Sequence, residues 1–316
     1  MTAGAAADIV LADWGTSALR VWALDRQARL LDERRSDCGM ATMPRDDYGR
    51  ELDRLLMAMG VPGDIPVLIC GMAGAAQGWQ EAPYLDISID FASLADRAIH
   101  IAGQDRDIRI LPGIAQRDSH NPDVLRGEET ILHGLVCAGM QEGVVCLPGT
   151  HSKWARIAGG RLAGFRTMMT GEMFAILGER SILRHTVTSD GWSDDDFIAA
   201  VREAHVAPTT AFTGLFGLRA GPLLSADEAP HGASRLSGLL IGAELSICLA
   251  DHQPLYLAAT GALATRYATA LGCLDIDFVM TDADQAVRTG LFDLASRIWP
   301  ETLTRTPREA RQDGAT

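Results

Sequence analysis

The sequence predicts an α/β fold of two related lobes, each with a mixed β-sheet, around a cleft. Three short apolar segments separated by tight turns occur at residues 8–36 and, in the same order, at residues 144–168. Such self-similarity along a chain indicates a duplicated unit. Short apolar runs alternate with helical periodicity elsewhere, as in α/β proteins. The 316 residues suffice for two domains, which we place at residues 1–134 and 135–316.

The elements of the first half follow from apolar periodicity. Its three apolar segments are expected to form strands at residues 8–14, 19–25 and 29–36. Residues 46–59 carry leucines at helical spacing and predict a helix. Buried strands are expected at residues 66–72 and 107–112, and a helix from near Gly127 to about Ala138.

The second half repeats the strand pattern and then becomes mostly helical. Residues 171–250 favour helices, including one capped by Ser193 and one over residues 234–250. Two strand–loop–helix units are expected at residues 254–272 and 275–295. The last helix can pack back on the N-terminal lobe, and the polar tail after it is expected to fray.

Composition excludes several classes of partner and site. The formal net charge of −13 disfavours nucleic acid and anionic membranes. The apolar run at residues 236–250 contains Glu244 and is too short to span a bilayer, so it predicts a packed helix. The six cysteines form no CxxC pair and the eight histidines show no metal-ligand spacing, so we expect no zinc site. A reducing cytoplasm fits these cysteines, and the N-terminus lacks a signal-peptide pattern.

The first polar motif is Asp13-Trp14-Gly15-Thr16-Ser17, at the end of the first strand. Backbone N–H groups in a Gly-Thr turn are accessible to phosphate oxygens, and the two hydroxyls add donors. The Asp13 carboxylate can hold magnesium directly or through water. An ordinary hairpin turn has the same residues, so both interpretations stay open.

The second polar motif lies at the matching turn of the second copy. Gly149 and Thr150 repeat the Gly-Thr pair, followed by His151 and by Lys153, the only lysine of the chain. A cation here can meet a phosphate or a carboxylate. The alternative is a surface lysine on a strand, but the pairing of two such turns favours function.

A helix start between the two copies is acidic. Glu128 and Glu129 follow Arg126 there. Carboxylates in a first helical turn are usually solvated partners of the helix dipole. A position between the copies also suits a general base that accepts a proton from a substrate hydroxyl.

A glycine-rich loop follows the strand at residues 66–72. Gly71, Met72 and Ala73 begin it, and Trp79 and Tyr84 lie beyond. Small residues can admit a polar substrate whose carbon chain rests on an aromatic ring. A purely structural loop has the same composition.

These blocks together resemble the sugar kinase, Hsp70 and actin superfamily and, within it, the 2-dehydro-3-deoxygalactonokinases. The resemblance spans about residues 8–295 and rests on residues 13–22, 71–85, 125–132, 147–154, 165–172, 237–244 and 260–267. It implies a two-lobed actin-like ATPase (ribonuclease H-like) fold. It also implies ATP and Mg²⁺ as cofactors, and phosphorylation of the small sugar acid 2-dehydro-3-deoxy-D-galactonate at its 6-hydroxyl.

The resemblance assigns roles to the motif residues. Asp13 matches the acidic residue near magnesium and phosphate. The phosphate turns match Gly15, Thr16, Ser17, Gly149 and Thr150, with His151 and Lys153 beside the second. The adenosine loop matches Thr260, Gly261 and Ala262 between a strand and a helix, a junction that lets a nucleotide lie against backbone.

Four questions stay open in the sequence. Many superfamily kinases have an Asp base where this chain has Glu128 and Glu129, and local alignment slightly favours Glu129. The substrate carboxylate can be bound by Arg126, by Lys153 or by N–H groups of residues 71–76. A kinase for another sugar or sugar acid, or a non-catalytic nucleotide-binding regulator, remains an alternative, and a homodimer is left open.

Overall fold

The computed structural model describes residues 6–187, 191–224, 231–249 and 254–304. The strands of the first part are β1 (Ile9–Trp14), β2 (Leu19–Leu24), β3 (Leu30–Ser36), β4 (Val67–Gly71), β5 (Tyr84–Asp86), β6 (Ile99–His100), β7 (Ile108–Ile110), β8 (Gly113–Asp118) and β9 (Asn121–Leu125). Those of the second part are β10 (Glu142–Leu147), β11 (Ser152–Ala158), β12 (Arg161–Met168), β13 (Leu255–Ala258) and β14 (Val279–Thr281).

Ten α-helices lie within the described residues. They are α1 (Tyr48–Ala58), α2 (Glu128–Cys137), α3 (Thr170–Arg180), α4 (Asp194–Val206), α5 (Thr210–Thr213), α6 (Leu215–Leu224), α7 (Gly232–Cys248), α8 (Gly261–Cys273), α9 (Ala283–Ile298) and α10 (Pro300–Thr304). The predicted helix at residues 46–59 is α1. Ser193 caps α4 as predicted, since its side chain accepts a hydrogen bond from the N–H of Asp196 at 3.1 Å.

The two large sheets share one plan, which confirms the predicted duplication. The first sheet has the order β3-β2-β1-β4-β7-β6 and the second the order β12-β11-β10-β13-β14. In each, the central strand pairs antiparallel with the next strand of the meander and parallel with a later strand: β1 with β2 and β4, and β10 with β11 and β13. The mixed sheets are therefore built by the same chain path twice.

Contacts divide the chain into two units. The first comprises the described residues up to 141, residues 159–162 and the described residues from 283 onward. The second comprises residues 142–158 and the described part of residues 163–282. Helix α9 belongs to the first unit, where it packs on α2.

The core of the first unit joins the sheet to α1. Trp14 and Leu19 from the sheet, and Tyr48 and Leu52 from α1, are fully buried in one apolar cluster. In the second unit one cluster lies between the sheet, α7 and α8, and another lies among α3, α4, α6 and α7. These cores fix the ends of β1 and β10, which carry the two polar motifs.

The first unit also contains a third, small sheet that the sequence analysis did not predict. Its order is β5-β8-β9, and β9 (NPDVL) is polar and contains Pro122. Short strands with little alternation escape detection because apolar periodicity is the main sequence signal for a strand. The described helices include none long and apolar enough to cross a membrane.

Candidate active site

The carboxylate of Asp13 lies at the end of β1 beside the end of β4. The parallel register pairs Asp13 with Cys70, and the Cys70 thiol lies 3.7 Å from Asp13 Oδ1. The other oxygen, Oδ2, accepts a hydrogen bond from Arg20 at 2.5 Å. Arg20 also bonds Asp284 in the first turn of α9. The predicted metal-binding carboxylate is thus oriented by an arginine that bridges two acids.

Helix α2 begins next to this strand edge. Gly127 precedes it with φ 110°, a conformation that favours glycine. A Cβ there would lie 3.3 Å from Gly71 Cα, so the chain at the end of β4 passes close by. The Thr130 hydroxyl lies 3.5 Å from Cys70 Sγ and links α2 to the same edge. The structure therefore brings the Asp13 motif and the acidic helix start together in one unit.

Glu129 is fully buried at this helix start. Its Oε2 accepts a hydrogen bond from the N–H of Gly127 at 2.6 Å. Its Oε1 has no hydrogen-bond partner among the described residues. Burial and the charge of Glu128 raise the pKa of Glu129 to about 8. A buried carboxylate with an open oxygen and a raised pKa is typical of a functional group.

Glu128 differs from its neighbour in burial. Its side chain is half-buried, and Oε2 accepts a hydrogen bond from the N–H of Arg126 at 3.0 Å. Each glutamate thus reaches back to a backbone N–H before the helix, but Glu129 alone of the two is enclosed. Of the two candidates that the sequence left open, the geometry favours Glu129.

Arg126 lies under the glycine-rich loop. Its Nη2 donates to the carbonyl of Ala82 at 2.9 Å and its Nε donates to the Tyr84 hydroxyl at 3.1 Å. The guanidinium also stacks over the Tyr84 ring at 4.1 Å. A Cβ on Gly74 would lie 2.8 Å from Nη1, and this buried nitrogen has no partner in the described parts of the chain.

The remaining loop residues take separate positions. Met72 and Ala73 form a short 3-10 turn directly after Gly71. Trp79 is half-buried and packs against the core, stacked on Tyr48 and edge-on to Trp14. Its indole therefore supports the loop from below, whereas Tyr84 contacts Arg126.

The first Gly-Thr turn presents its side chains outward. The N–H of Gly15 bonds the carbonyl of Ala18, and Thr16 and Ser17 are exposed. A Cβ on Gly39 would lie within 2.5 Å of the backbone at residues 16–18. Gly39 thus packs against the inner side of the turn, and the exposed side chains of Thr16 and Ser17 lie on its outer side.

The second Gly-Thr turn abuts the start of α3. A Cβ on Gly171 would meet the carbonyl of Gly149 at 2.4 Å, and the N–H of Glu172 donates to the carbonyl of Thr150. His151 contacts the Glu172 carboxylate at 2.6 Å. Helix α3 therefore begins at the turn, and its N-terminus adds dipole and N–H groups suited to an anion.

Lys153 is buried rather than exposed. It is 7% exposed, and its ammonium donates to the Thr167 hydroxyl at 2.7 Å. This pairing joins β11 to β12 just beyond the turn.

A pocket adjoins the second turn. Its lining includes Gly149, Gly171, Ser237, Leu263, Arg266 and Tyr267. Thr260, Gly261 and Ala262 are exposed and precede the lining residues by one turn of α8.

A second buried glutamate lies behind this pocket. Glu244 is fully buried on α7. It accepts hydrogen bonds from Trp154 Nε1 at 2.8 Å, from the Tyr267 hydroxyl at 2.9 Å and from the Thr170 hydroxyl. Burial raises its pKa. Glu244 thus ties β11, α3 and α8 to α7, the elements around the pocket.

Sequence reasoning missed several of these residues. Cys70 and Asp284 belong to no motif, whereas Ser237, Arg266 and Tyr267 lie in blocks that carry the family resemblance but were given no role. Glu244 did leave a signal, because an acid within an apolar helix requires buried partners.

Comparisons with known proteins place the chain in one family. A family model described as 2-keto-3-deoxy-galactonokinase matches residues 13–294. A Rhizobium meliloti protein described as a 2-dehydro-3-deoxygalactonokinase is 44% identical over 91% of this chain and 96% of its own length. The 2-dehydro-3-deoxygalactonokinase of Escherichia coli is 29% identical over 90% of this chain and 97% of its own.

Solved structures confirm the actin-like ATPase fold class. A Sinorhizobium meliloti protein described as a 2-dehydro-3-deoxygalactonokinase has a crystal structure that superposes on this one with a TM-score of 0.86. The two sequences are 43% identical, and the match covers 92% of this chain and 99% of that chain. The activator of 2-hydroxyisocaproyl-CoA dehydratase from Clostridium difficile, solved with bound ADPNP, shares the fold at 11% identity, with a TM-score of 0.50 over 98% of both chains. The chain therefore belongs to the 2-keto-3-deoxy-galactonokinase family and is an ATP-dependent sugar-acid kinase.

Proposed function

We propose that this kinase phosphorylates 2-dehydro-3-deoxy-D-galactonate at its 6-hydroxyl, with conversion of ATP to ADP. Relatives over most of the chain carry that activity in their names. The observation that supports it best is the buried Glu129 carboxylate, whose open oxygen lies at the helix start beside the Asp13 motif. A kinase that transfers to an alcohol needs a group that accepts the hydroxyl proton.

Glu129 is the proposed general base. In its ionised form Oε1 accepts the proton of the 6-hydroxyl as the hydroxyl oxygen attacks the γ-phosphorus and the bond to the β-phosphate oxygen breaks. Oε2 stays bonded to the N–H of Gly127, which fixes the carboxylate plane. Positioning and charge neutralisation account for most of the catalysis in such a transfer.

Asp13 is the proposed magnesium-binding carboxylate. Its Oδ2 is engaged by Arg20, while Oδ1 lies 3.7 Å from the weakly interacting Cys70 thiol and fits a hard cation or a metal-bound water. Bound Mg²⁺ supplies positive charge to phosphate oxygens. Arg20 holds the Asp13 side chain through its bridge to Asp284.

The nucleotide contacts are proposed in both units. Gly15, Thr16 and Ser17 offer N–H and hydroxyl donors to phosphates, and Gly149 and Thr150 do so at the start of α3. His151 and Lys153 supply cationic or donor groups beside the second turn. The pocket of the second unit suits adenosine, with Thr260, Gly261 and Ala262 at its edge.

Arg126 is the proposed contact for the substrate carboxylate. A guanidinium binds carboxylates with defined geometry, and buried Nη1 has no partner in the described structure. Gly71, Met72 and Ala73 line the loop beside it, with Tyr84 holding the guanidinium and Trp79 supporting the loop. Lys153 is a weaker choice for this role because it is paired with Thr167.

We infer that residues 1–134 and 135–316 form the two lobes expected from the sequence, with the last helix, α9, packed back on the first lobe. The net charge of −13 argues against nucleic acid. All six cysteines are free thiols, which fits the expected reducing cytoplasm.

A coupled ADP-release assay tests the proposed substrate. Purified enzyme with ATP and Mg²⁺ is given 2-dehydro-3-deoxy-D-galactonate, its gluconate epimer, galactonate or plain hexoses. Rapid turnover on the first compound alone is expected. Turnover on another compound would move the specificity, and ATP binding without any turnover would contradict the kinase proposal.

A further inference from the structure

Three potential metal ligands meet between α2 and α9 of the first unit. His133 Nε2 lies 2.9 Å from Asp293 Oδ2, and Cys137 Sγ lies 3.6 Å from His133 Nε2. All three ligand atoms fall within 4.8 Å of one another. His133 and Cys137 are one helical turn apart on α2, whereas Asp293 is 160 residues from His133.

The spacing of these atoms suits a tetrahedral ion. Zinc binds sulfur at about 2.3 Å and nitrogen at about 2.0 Å, and tetrahedral angles then separate the two ligand atoms by about 3.5 Å. The observed separation of Sγ and Nε2 is 3.6 Å, but Sγ also lies 3.9 Å from Nδ1, so the Cys137 side chain has to rotate toward the Nε2 side to coordinate an ion there. Nε2 and the carboxylate oxygen need to move apart by only a few tenths of an ångström.

The scaffold around the cluster is rigid. A Cβ on Gly134 would meet the carbonyl of Ala286 at 1.9 Å, and a Cβ on Gly290 would meet that of Thr130 at 2.1 Å. The backbones of α2 and α9 are thus in direct contact, which leaves little room for either helix to shift. Ligands on two packed helices are held near one geometry before any ion binds.

Burial and charge also favour a cation. The imidazole of His133 is 4% exposed and lies 5.8 Å from the Phe91 ring, while Cys137 is exposed and gives access from solvent. A thiolate and a carboxylate together balance a divalent charge. Arg297 bonds Asp293 Oδ2 at 2.8 Å, the same oxygen that lies beside His133. The Asp293 carboxylate therefore has to turn so that one oxygen coordinates the ion while the other keeps Arg297 as an outer partner.

We propose that His133, Cys137 and Asp293 form a binding site for a thiophilic divalent cation of the zinc class. The imidazole nitrogen, the thiolate and one carboxylate oxygen supply three ligands, and water supplies the fourth. On binding, the thiol releases its proton to solvent. This donor set differs from the oxygen ligands that magnesium prefers, so the two ions do not compete for one site.

Cobalt spectroscopy tests this proposal without reference to kinase activity. Reduced full-length protein without a histidine tag is titrated with Co²⁺ alone, and the near-ultraviolet absorption of a cobalt–thiolate bond is recorded. One equivalent is expected to develop that band, and equimolar Zn²⁺ is expected to remove it. Cys137→Ser should lose the band, whereas the matched control Cys38→Ser should retain it.

Thermal unfolding gives a second measurement, the effect of Zn²⁺ on the Tm of the wild-type protein, which remains informative if a variant folds poorly. Equimolar Zn²⁺ should raise the Tm of the wild-type protein and leave that of Cys137→Ser unchanged. No thiolate band in the wild-type protein, or a band that persists in Cys137→Ser, would overturn the proposal.

Discussion

Glu129 and Glu244 are both fully buried glutamates, yet their surroundings differ. Glu244 accepts hydrogen bonds at both carboxylate oxygens from Trp154, Thr170 and Tyr267. Glu129 has one oxygen bonded to a backbone N–H and one without a partner in the described chain. Burial raises the pKa of each.

We expect this difference to separate a structural carboxylate from a reactive one. A buried polar network is stable when every member is satisfied, and Glu244 meets that condition. An unsatisfied buried oxygen costs stability, and a functional role is one reason why a protein retains such a group. Burial and pKa alone would not distinguish the two residues, whereas the hydrogen-bond inventory does.

The largest expected effect is that of Glu129→Gln. General-base catalysis contributes about 10²–10⁴-fold, so kcat should fall by that factor because the amide cannot accept the hydroxyl proton. Steady-state kinetics with a thermal melt measure both properties, and the fold should be retained. Near-normal turnover, or a larger loss in the matched variant Glu128→Gln, would move the base assignment.

The opposite pattern is expected for Glu244→Gln. The amide nitrogen cannot accept hydrogen bonds, so at least one of the three donors loses its partner, and the free energy of unfolding should fall by about 1–3 kcal/mol. Denaturant unfolding measures this change. Because the chemical step does not use Glu244, kcat at saturating ATP should stay near the wild-type value; a collapse of kcat with unchanged stability would reverse the comparison.

The pH dependence of kcat/KM gives the next test of the difference between Glu129 and Glu244. A base acts in its deprotonated form, and the pKa of Glu129 is raised to about 8, so kcat/KM should fall as pH drops below about 8, about tenfold per pH unit. Glu128→Gln should move this limb to lower pH, since the charge of Glu128 raises the pKa of Glu129. A limb that stays in place would show that another group controls it.

The smallest expected effect is that of Tyr267→Phe. The change removes one hydroxyl donor from Glu244, and the free energy of unfolding should fall by about 1 kcal/mol. Tyr256→Phe, on β13 and outside this network, is the matched control. Equal losses in the two variants would show that the Glu244 network contributes nothing specific.

Much of the fold could be read from the chain because its signals are local. The two three-strand copies, the strand at β4 and the helices α1, α2 and α7 follow from apolar periodicity over a few residues. The small β5-β8-β9 sheet was not predicted, because β9 is polar and contains Pro122. Trp79 shows a packing role that the sequence did not indicate: its position suggested a substrate contact, and the structure adds that it stacks on Tyr48.

The site could be predicted only as a set of motifs. Sequence patterns indicated Asp13 and the glutamate pair, but a one-residue step along a helix decides whether a side chain is enclosed or exposed. The metal-ligand cluster shows the same limit. No histidine spacing indicated zinc, and the structure brings Asp293 to His133 across 160 positions.

The sequence by itself determined the duplicated α/β pattern, the two Gly-Thr turns and the acidic start of α2, because turns, caps and periodicity depend on neighbouring residues. Only the tertiary structure decided that Glu129 is enclosed with an open oxygen, that Glu244 is fully bonded and that Arg20 bridges Asp13 and Asp284. Those properties arise where distant segments pack together and exclude water, and solvent exclusion sets both the pKa of a carboxylate and the requirement for its partners.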